Sequence, residues 1–154
     1  MSLYAYIYFN GNCREAIEYY ADIFRAGEPK IMTFGETPAE PEITLPEGTS
    51  HLVMFARLNI MGTDVMFSDI FPGMSLTVGN NISLTVTSDN IDEVKRLFNR
   101  LKEGGTVDME LQETFWSKCY GSLTDRYGVC WQVSHEDVQA MVESRAVEDG
   151  QIIE

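Results

Sequence analysis

The sequence predicts an α+β fold: two tandem β-α-β-β-β modules whose strands form a curved mixed sheet around a cleft. Three observations carry that expectation. The order strand, helix, strand, strand, strand in the first half begins again at Asn80. An offset of 78 carries Asn12 onto Asn90, Glu15 onto Glu93, Tyr20 onto Phe98, Ile23 onto Leu101 and Gly27 onto Gly105, whereas an offset of 66 carries Gly62 onto Gly128, Met66 onto Gln132 and Ser68 onto Ser134. The change of offset is what a shorter linking loop in the second module produces. Lastly, each module has one helix for a small sheet, so one sheet face stays uncovered, and two such faces are buried by curling around a shared cleft.

The first module opens with Leu3 to Phe9, a continuous apolar and aromatic run read as a buried strand. Asn10-Gly11-Asn12 turns the chain, and Asn12 with Glu15 three residues on forms a capping-box pattern. The helix that follows places Ala16, Ile17, Tyr20, Ile23 and Phe24 on one stripe and stops near Gly27-Glu28-Pro29. Lys30 to Phe34 reads as a strand, and Gly35 to Ser50, with three prolines and several acids, as an exposed loop. His51 to Ile60 and Thr63 to Asp69 read as strands joined by a tight turn at Met61-Gly62. A second loop, Ile70 to Gly79, is built around Phe71-Pro72-Gly73.

In the second module Ile82 to Thr87 is a strand, and Asn90 or Asp89 caps a helix with its stripe at Ile91, Val94, Leu97, Phe98 and Leu101, ended by Gly104-Gly105. Thr106 to Glu113 is a further strand. The most informative stretch is Phe115 to Ser134, a hairpin with arms Cys119 to Thr124 and Val129 to Ser134 around the turn Asp125-Arg126-Tyr127-Gly128. Along its second arm Cys130, Gln132 and Ser134 share one face, and Val129, Trp131 and Val133 the other. A buried amide needs a partner, so Gln132 is a polar handle if its face lines a pocket; the plain alternative is that this face meets solvent.

Residues 1–135 thus form one domain of two modules, about 1–69 and 80–135, followed by a tail at 136–154 with a weak helical pattern in Val138, Met141 and Val142. A net charge of −13 lacks the basic footprint that nucleic acid or an anionic membrane surface requires. No signal segment or membrane span is visible, and the expected location is the cytoplasm. Three cysteines, Cys13, Cys119 and Cys130, make an odd count without CxxC, which indicates neither a disulfide framework nor a structural zinc site. Cys119 and Cys130 either face one another across the hairpin or are small buried hydrophobes, the commoner case. Cys13 lies at a helix start, where a thiolate is favoured, yet no His is near it in sequence and a structural role is preferred.

Phe9-Asn10-Gly11-Asn12-Cys13-Arg14-Glu15-Ala16-Ile17, Met66-Phe67-Ser68-Asp69, Gln112-Glu113-Thr114-Phe115-Trp116 and Thr124-Asp125-Arg126-Tyr127-Gly128-Val129-Cys130-Trp131-Gln132 resemble the PhnB-type branch of the vicinal oxygen chelate superfamily. That superfamily includes glyoxalase I, ring-cleaving dioxygenases and the bleomycin and fosfomycin resistance proteins, and the branch is often labelled 3-demethylubiquinone-9 3-methyltransferase-like. The resemblance covers almost all of Met1 to Ser134. It implies the glyoxalase/bleomycin resistance fold, a small-molecule cleft and a homodimer.

It also implies a divalent metal held by His and Glu on four strands, two from each module, acting as a Lewis acid toward a chelating substrate. The residues do not supply that set. Leu3 to Phe9 and Asn80 to Thr87 contain no His, Asp, Glu or Cys, Gln132 stands at the family's carboxylate position, and its counterpart is Met66. Only Asp64 and Asp69 lie near the remaining position, while His51 and His135 fall outside the ligand strands and read as surface histidines. Two ligands are too few for a stable site. No metal and no cofactor is therefore expected; GxGxxG, GxSxG and Walker patterns are missing as well.

Aromatic surface remains. Tyr4, Tyr6 and Tyr8 share a face of the first strand, and with Phe115, Trp116, Tyr120 and Trp131 they offer rings for a flat or cationic ligand. Core packing is the preferred role for Trp131 and the first-strand tyrosines, and a pocket lid or interface for Phe115 and Trp116. The ligand-binding set expected from sequence is Tyr6, Asp69, Trp116, Tyr120 and Gln132, serving metal-independent binding of a small molecule. A metal-dependent lyase or dioxygenase using Asp69, or a methyltransferase, is the enzymatic alternative.

Overall fold

The computed structural model describes residues 1–37 and 44–137, so the tail helix pattern and part of the Gly35 to Ser50 loop lie outside the described residues. The chain divides into two compact units, Met1–Val78 and Gly79–Glu154. Each contains a four-stranded mixed sheet and one eleven-residue helix. Among the described residues no helix is long and apolar enough to cross a membrane.

In the first unit β1 (Tyr6–Phe9), α1 (Cys13–Ile23), β2 (Lys30–Thr33), β3 (Val53–Ile60) and β4 (Thr63–Asp69) follow in order, and the sheet runs β1-β4-β3-β2. β1 lies parallel to β4 with Tyr6 opposite Met66, and β3 lies antiparallel to both β4 and β2. Met61 (φ 51) and Gly62 (φ 89) both sit in the left-handed region, as the two-residue hairpin between β3 and β4 requires. α1 packs on β3 and β4, burying Cys13, Ala16, Ile17, Tyr20 and Ile23 against a sheet side that carries Phe9, Ala56, Leu58, Val65 and Phe67. The period of two then sends Tyr6, Tyr8, Phe55, Arg57 and Met66 to the other side.

Three readings are corrected here. The first strand is not buried on both sides: Tyr6 is 39% and Tyr8 54% exposed, because the single helix covers only the face of Ile7 and Phe9. α1 ends at Ile23 and not at Gly27, with Arg25 (φ 48) taking the left-handed position after it. Asn12 caps nothing through its side chain; its ψ of 20° turns it from the extended geometry a side-chain cap uses. The cap comes instead from Asp69, at the end of β4.

In the second unit β5 (Leu84–Ser88), α2 (Ile91–Leu101), β6 (Thr106–Gln112), β7 (Tyr120–Thr124) and β8 (Cys130–His135) give the order β5-β8-β7-β6, the same topology. Asn90 accepts from the backbone N–H groups of Asp92 and Glu93, so here the local cap forms as the sequence suggests. α2 buries Val94, Leu97, Phe98 and Leu101 over Val86, Leu123, Trp131 and Val133. Gly121 lets it sit close: a Cβ there would fall 2.7 Å from Phe98 Cε2. Trp131 is core, as preferred, and its indole Nε1 donates to Asp125 Oδ2 at 2.8 Å. The other oxygen of Asp125 accepts the N–H groups of Tyr127 and Val129, which closes the hairpin turn.

Cys119 and Cys130 do not oppose one another, since Cys130 pairs with Thr124 at the far end of β7. All three cysteines are free thiols. His51 is exposed, whereas His135 is the buried last residue of β8, with Nε2 3.2 Å from the carbonyl oxygen of Asp89.

Candidate functional site

Among the described residues each sheet has a helix on one face only, and alternation along the strands decides which side chains stand on the other. On the second sheet that face carries hydroxyls and an amide: Thr85 and Thr87 from β5, Gln132 and Ser134 from β8, Tyr120 and Ser122 from β7. Tyr120 Oη donates to Gln132 Oε1 at 2.6 Å. That bond sets the amide's orientation, so Gln132 Nε2 donates to Ser83 Oγ at 2.7 Å. The result is a chain of three side chains held by neutral hydrogen bonds, with a lone pair on the amide oxygen and one amide N–H left over. Ring surface adjoins it. Trp116 meets Tyr120 edge-on at 5.3 Å between centroids, and Phe115 meets Trp116 at 4.7 Å. Trp116 is 57% and Phe115 97% exposed.

The loop holding these rings is fastened from beneath. Ser117 is buried, its Oγ lying 2.8 Å from the His135 carbonyl and 3.0 Å from that of Cys119, and its backbone N–H donates to Thr114 Oγ1. A pocket of about 260 Å³ lies between this loop, His135 and Asp137. Trp116, Tyr120 and Gln132, three residues singled out from sequence, therefore converge within one unit.

The other two separate. Tyr6 stands on the open face of the first sheet, in a row that runs Tyr6, Met66, Arg57, Lys30 across the strands. Asp69 has the parity of Phe67 and lies on the helix side, buried. Its Oδ1 accepts from Gly11 N–H (2.8 Å) and Cys13 N–H (3.1 Å), and its Oδ2 from Val53 N–H (2.9 Å). Both carboxylate oxygens are thus engaged in joining the start of α1, the start of β3 and the end of β4. Burial, together with the Asp69 charge and against the smaller pull of Arg14, pushes the Cys13 thiol far above its ordinary range. This is the opposite of an activated nucleophile.

Arg57 and Ser83 were not singled out from sequence. Arg57 had a signal, as a lone cation at an alternate position in the apolar strand Val53–Ile60; Ser83 had none, because its role depends on the β5 to β8 register.

Met66 and Gln132, which stand at positions the resemblance assigns to metal ligands, pair with Tyr6 and Thr85 across the strands. Phenol, thioether, hydroxyl and amide groups do not make the His and carboxylate set that such a cation needs. Among the described residues no three His, Cys, Asp or Glu side chains are grouped so as to hold a metal ion. This donor set does not fit a divalent cation.

Comparison with known proteins places these features in a family. The family model described as 3-demethylubiquinone-9 3-methyltransferase matches residues 2–134. Protein YjdN of Escherichia coli strain K12 is 32% identical over 140 residues, spanning 87% of this chain and 95% of its own. The structure of protein PA1353 from Pseudomonas aeruginosa superposes with a TM-score of 0.78 at 36% identity, over 88% of this chain and 98% of that one. The PhnB protein of Bacillus cereus gives a TM-score of 0.70 at 25% identity, over 88% and 100%. The chain accordingly belongs to the PhnB-type, 3-demethylubiquinone-9 3-methyltransferase-like family and has the glyoxalase/bleomycin resistance fold.

Proposed function

We propose that the protein binds a small, flat, largely neutral molecule on the open face of its second sheet, without a catalytic metal. The observation that carries this reading is the Tyr120–Gln132–Ser83 hydrogen-bond chain beside the exposed Trp116 and Phe115 rings. Such a pairing suits a ligand with a π-face and one donor or acceptor at its edge: the ring stacks on Trp116 and the edge exchanges hydrogen bonds with Gln132. The residues paired with Gln132 across the strands are Thr85 and Ser122, and such a neutral hydroxyl surface supports capture or sequestration. In this reading Tyr6 serves as ring surface on the first sheet, and Asp69 acts by holding α1 and β3 in place. A homodimer belongs to the same reading, since Phe115 is almost wholly exposed and an aromatic ring of that size is normally covered.

A thermal-shift screen of flat heteroaromatic compounds tests it. A ligand at 100 times its Kd stabilises the native state by about 2.7 kcal/mol, which raises the Tm of a chain this size by roughly 5–10 °C. W116A and Q132L are expected to abolish the shift while leaving the unliganded Tm nearly unchanged. Shifts that survive both substitutions place binding elsewhere.

A further inference from the structure

Asn10 and Gly11 turn the chain from β1 into α1, and theirs is the one Asn-Gly pair in the sequence. Such a pair is among the most labile a chain carries, because the glycine nitrogen attacks the asparagine side-chain carbon with no Cβ in the way. Both residues are exposed, and a Cβ built on Gly11 would meet nothing within 4 Å, so the outer side of this turn is open. The inner side is held. Gly11 N–H donates to Asp69 Oδ1 at 2.8 Å, and Asp69 is 4% exposed. The attacking nitrogen must lose that same proton before it reacts. A carboxylate is too weak a base to remove a proton from an amide, and its charge opposes an anion forming beside it. A hydrogen bond to a charged group is strong enough to lower the population of free Gly11 N–H by at least about tenfold.

We propose that Asn10 is a site of spontaneous deamidation and that Asp69 holds it in check while the first unit is folded. When the Gly11–Asp69 bond opens, the Gly11 nitrogen gives up its proton to solvent and bonds to Asn10 Cγ. The Cγ–NH2 bond breaks, and the amide leaves as ammonia, taking up a proton. A five-membered succinimide remains. One water then opens it at either carbonyl, giving aspartate or isoaspartate at position 10. Both products add a negative charge to a chain of net charge −13. Isoaspartate also inserts a methylene into the main chain between β1 and α1, which draws Gly11 N–H away from Asp69 and leaves the carboxylate with Cys13 and Val53. The conversion is irreversible, so its extent records how often this end of the first unit has opened. Every residue involved belongs to the first unit, and the inference is independent of ligand binding on the second sheet.

Incubation of the whole protein at constant pH and temperature tests it, with conversion read by mass spectrometry on the tryptic peptide Met1–Arg14 and isoaspartate by isoaspartyl methyltransferase labelling. Asn12, in the same peptide, is the reference. Asn10 is expected to convert at least tenfold more slowly in the native chain than in the same chain unfolded in urea. D69A, which removes the acceptor, is expected to speed conversion at least tenfold over W131F brought with urea to the same unfolded fraction, because W131F leaves the Asp69 bonds in place. D69N, which keeps one acceptor oxygen, should fall between them and carries the comparison if D69A does not fold. Equal rates in the native and unfolded chain, Asp69 variants no faster than the matched W131F control, or no conversion in the unfolded chain would each overturn the proposal.

Discussion

Gly11 and Asp69 stand 58 positions apart in the chain and meet in a 2.8 Å hydrogen bond, backbone N–H to carboxylate. With the N–H groups of Cys13 and Val53 on the same carboxylate, one side chain joins three segments of the first unit. Charge-assisted bonds to a buried carboxylate contribute more than neutral ones, and an amide accepts through one oxygen only. D69N is expected to lower stability by about 2–3 kcal/mol in denaturant unfolding. A change below about 0.5 kcal/mol would show that the carboxylate does not hold these segments.

Cys13 supplies a pH dependence. Its folded-state thiol titrates far above the unfolded one, so the native state retains a proton that the unfolded chain releases. The associated stability is fully present below the ordinary thiol range of ~8.5 and is lost as pH rises through that range toward the folded value. Stability measured from pH 7 to 10 should fall on the alkaline side, and C13A should flatten that slope relative to the unaltered chain. Under native conditions at pH 8 the half-exposed Cys130 should react with a thiol reagent long before the buried Cys13 does.

Gly121 is a test of packing. A methyl group there would press on Phe98 Cε2 at 2.7 Å and on Leu111 Cδ2 at 3.0 Å. Overpacking of this kind costs about 1–3 kcal/mol, and G121A should lower the Tm accordingly. A double variant that also carries F98L should recover part of the loss.

Trp131 and Asp125 test the hairpin. W131F removes the indole N–H that Asp125 Oδ2 accepts, a hydrogen bond to a buried carboxylate. The expected loss is about 1.5–3 kcal/mol, the ordinary worth of a bond to a charged group. W131F combined with D125N should lose less than the sum of the single changes, a coupling that a double-mutant cycle reads directly.

Repetition and hairpin were legible in the sequence because both depend on local pattern. The 78-residue offset between the helices holds to the residue, Cys13–Ile23 onto Ile91–Leu101, and the Met66 to Gln132 correspondence holds in the strand registers. Asn90 caps α2 as its local pattern says. Asn12 does not cap α1; a carboxylate far away in sequence instead bonds the Gly11 and Cys13 N–H groups at the helix start, and no local pattern records that. Asp69 was singled out as one of two carboxylates near a ligand position that the resemblance implies, but its parity turns it to the helix. Alternation sorted Tyr6 and Tyr8 from Ile7 and Phe9 correctly, yet could not say which set faced α1. Gln132 was recognisable by residue type alone; its partner Ser83 depended on a pairing between strands nearly fifty residues apart.

The two uncovered faces also bear on how such a chain changes over time. Side chains that point away from a helix contribute little to holding the sheet together, so they tolerate exchange without loss of the folded state. In this chain one copy has accumulated phenols around a cation and the other hydroxyls around an amide, on the same framework. A laboratory library randomised at Tyr6, Arg57, Met66, Thr85, Tyr120 and Gln132 should consequently yield mostly soluble variants with altered ligand preference, whereas one randomised at their neighbours Ile7, Leu58, Phe67, Val86, Leu123 and Val133 should yield mostly aggregates.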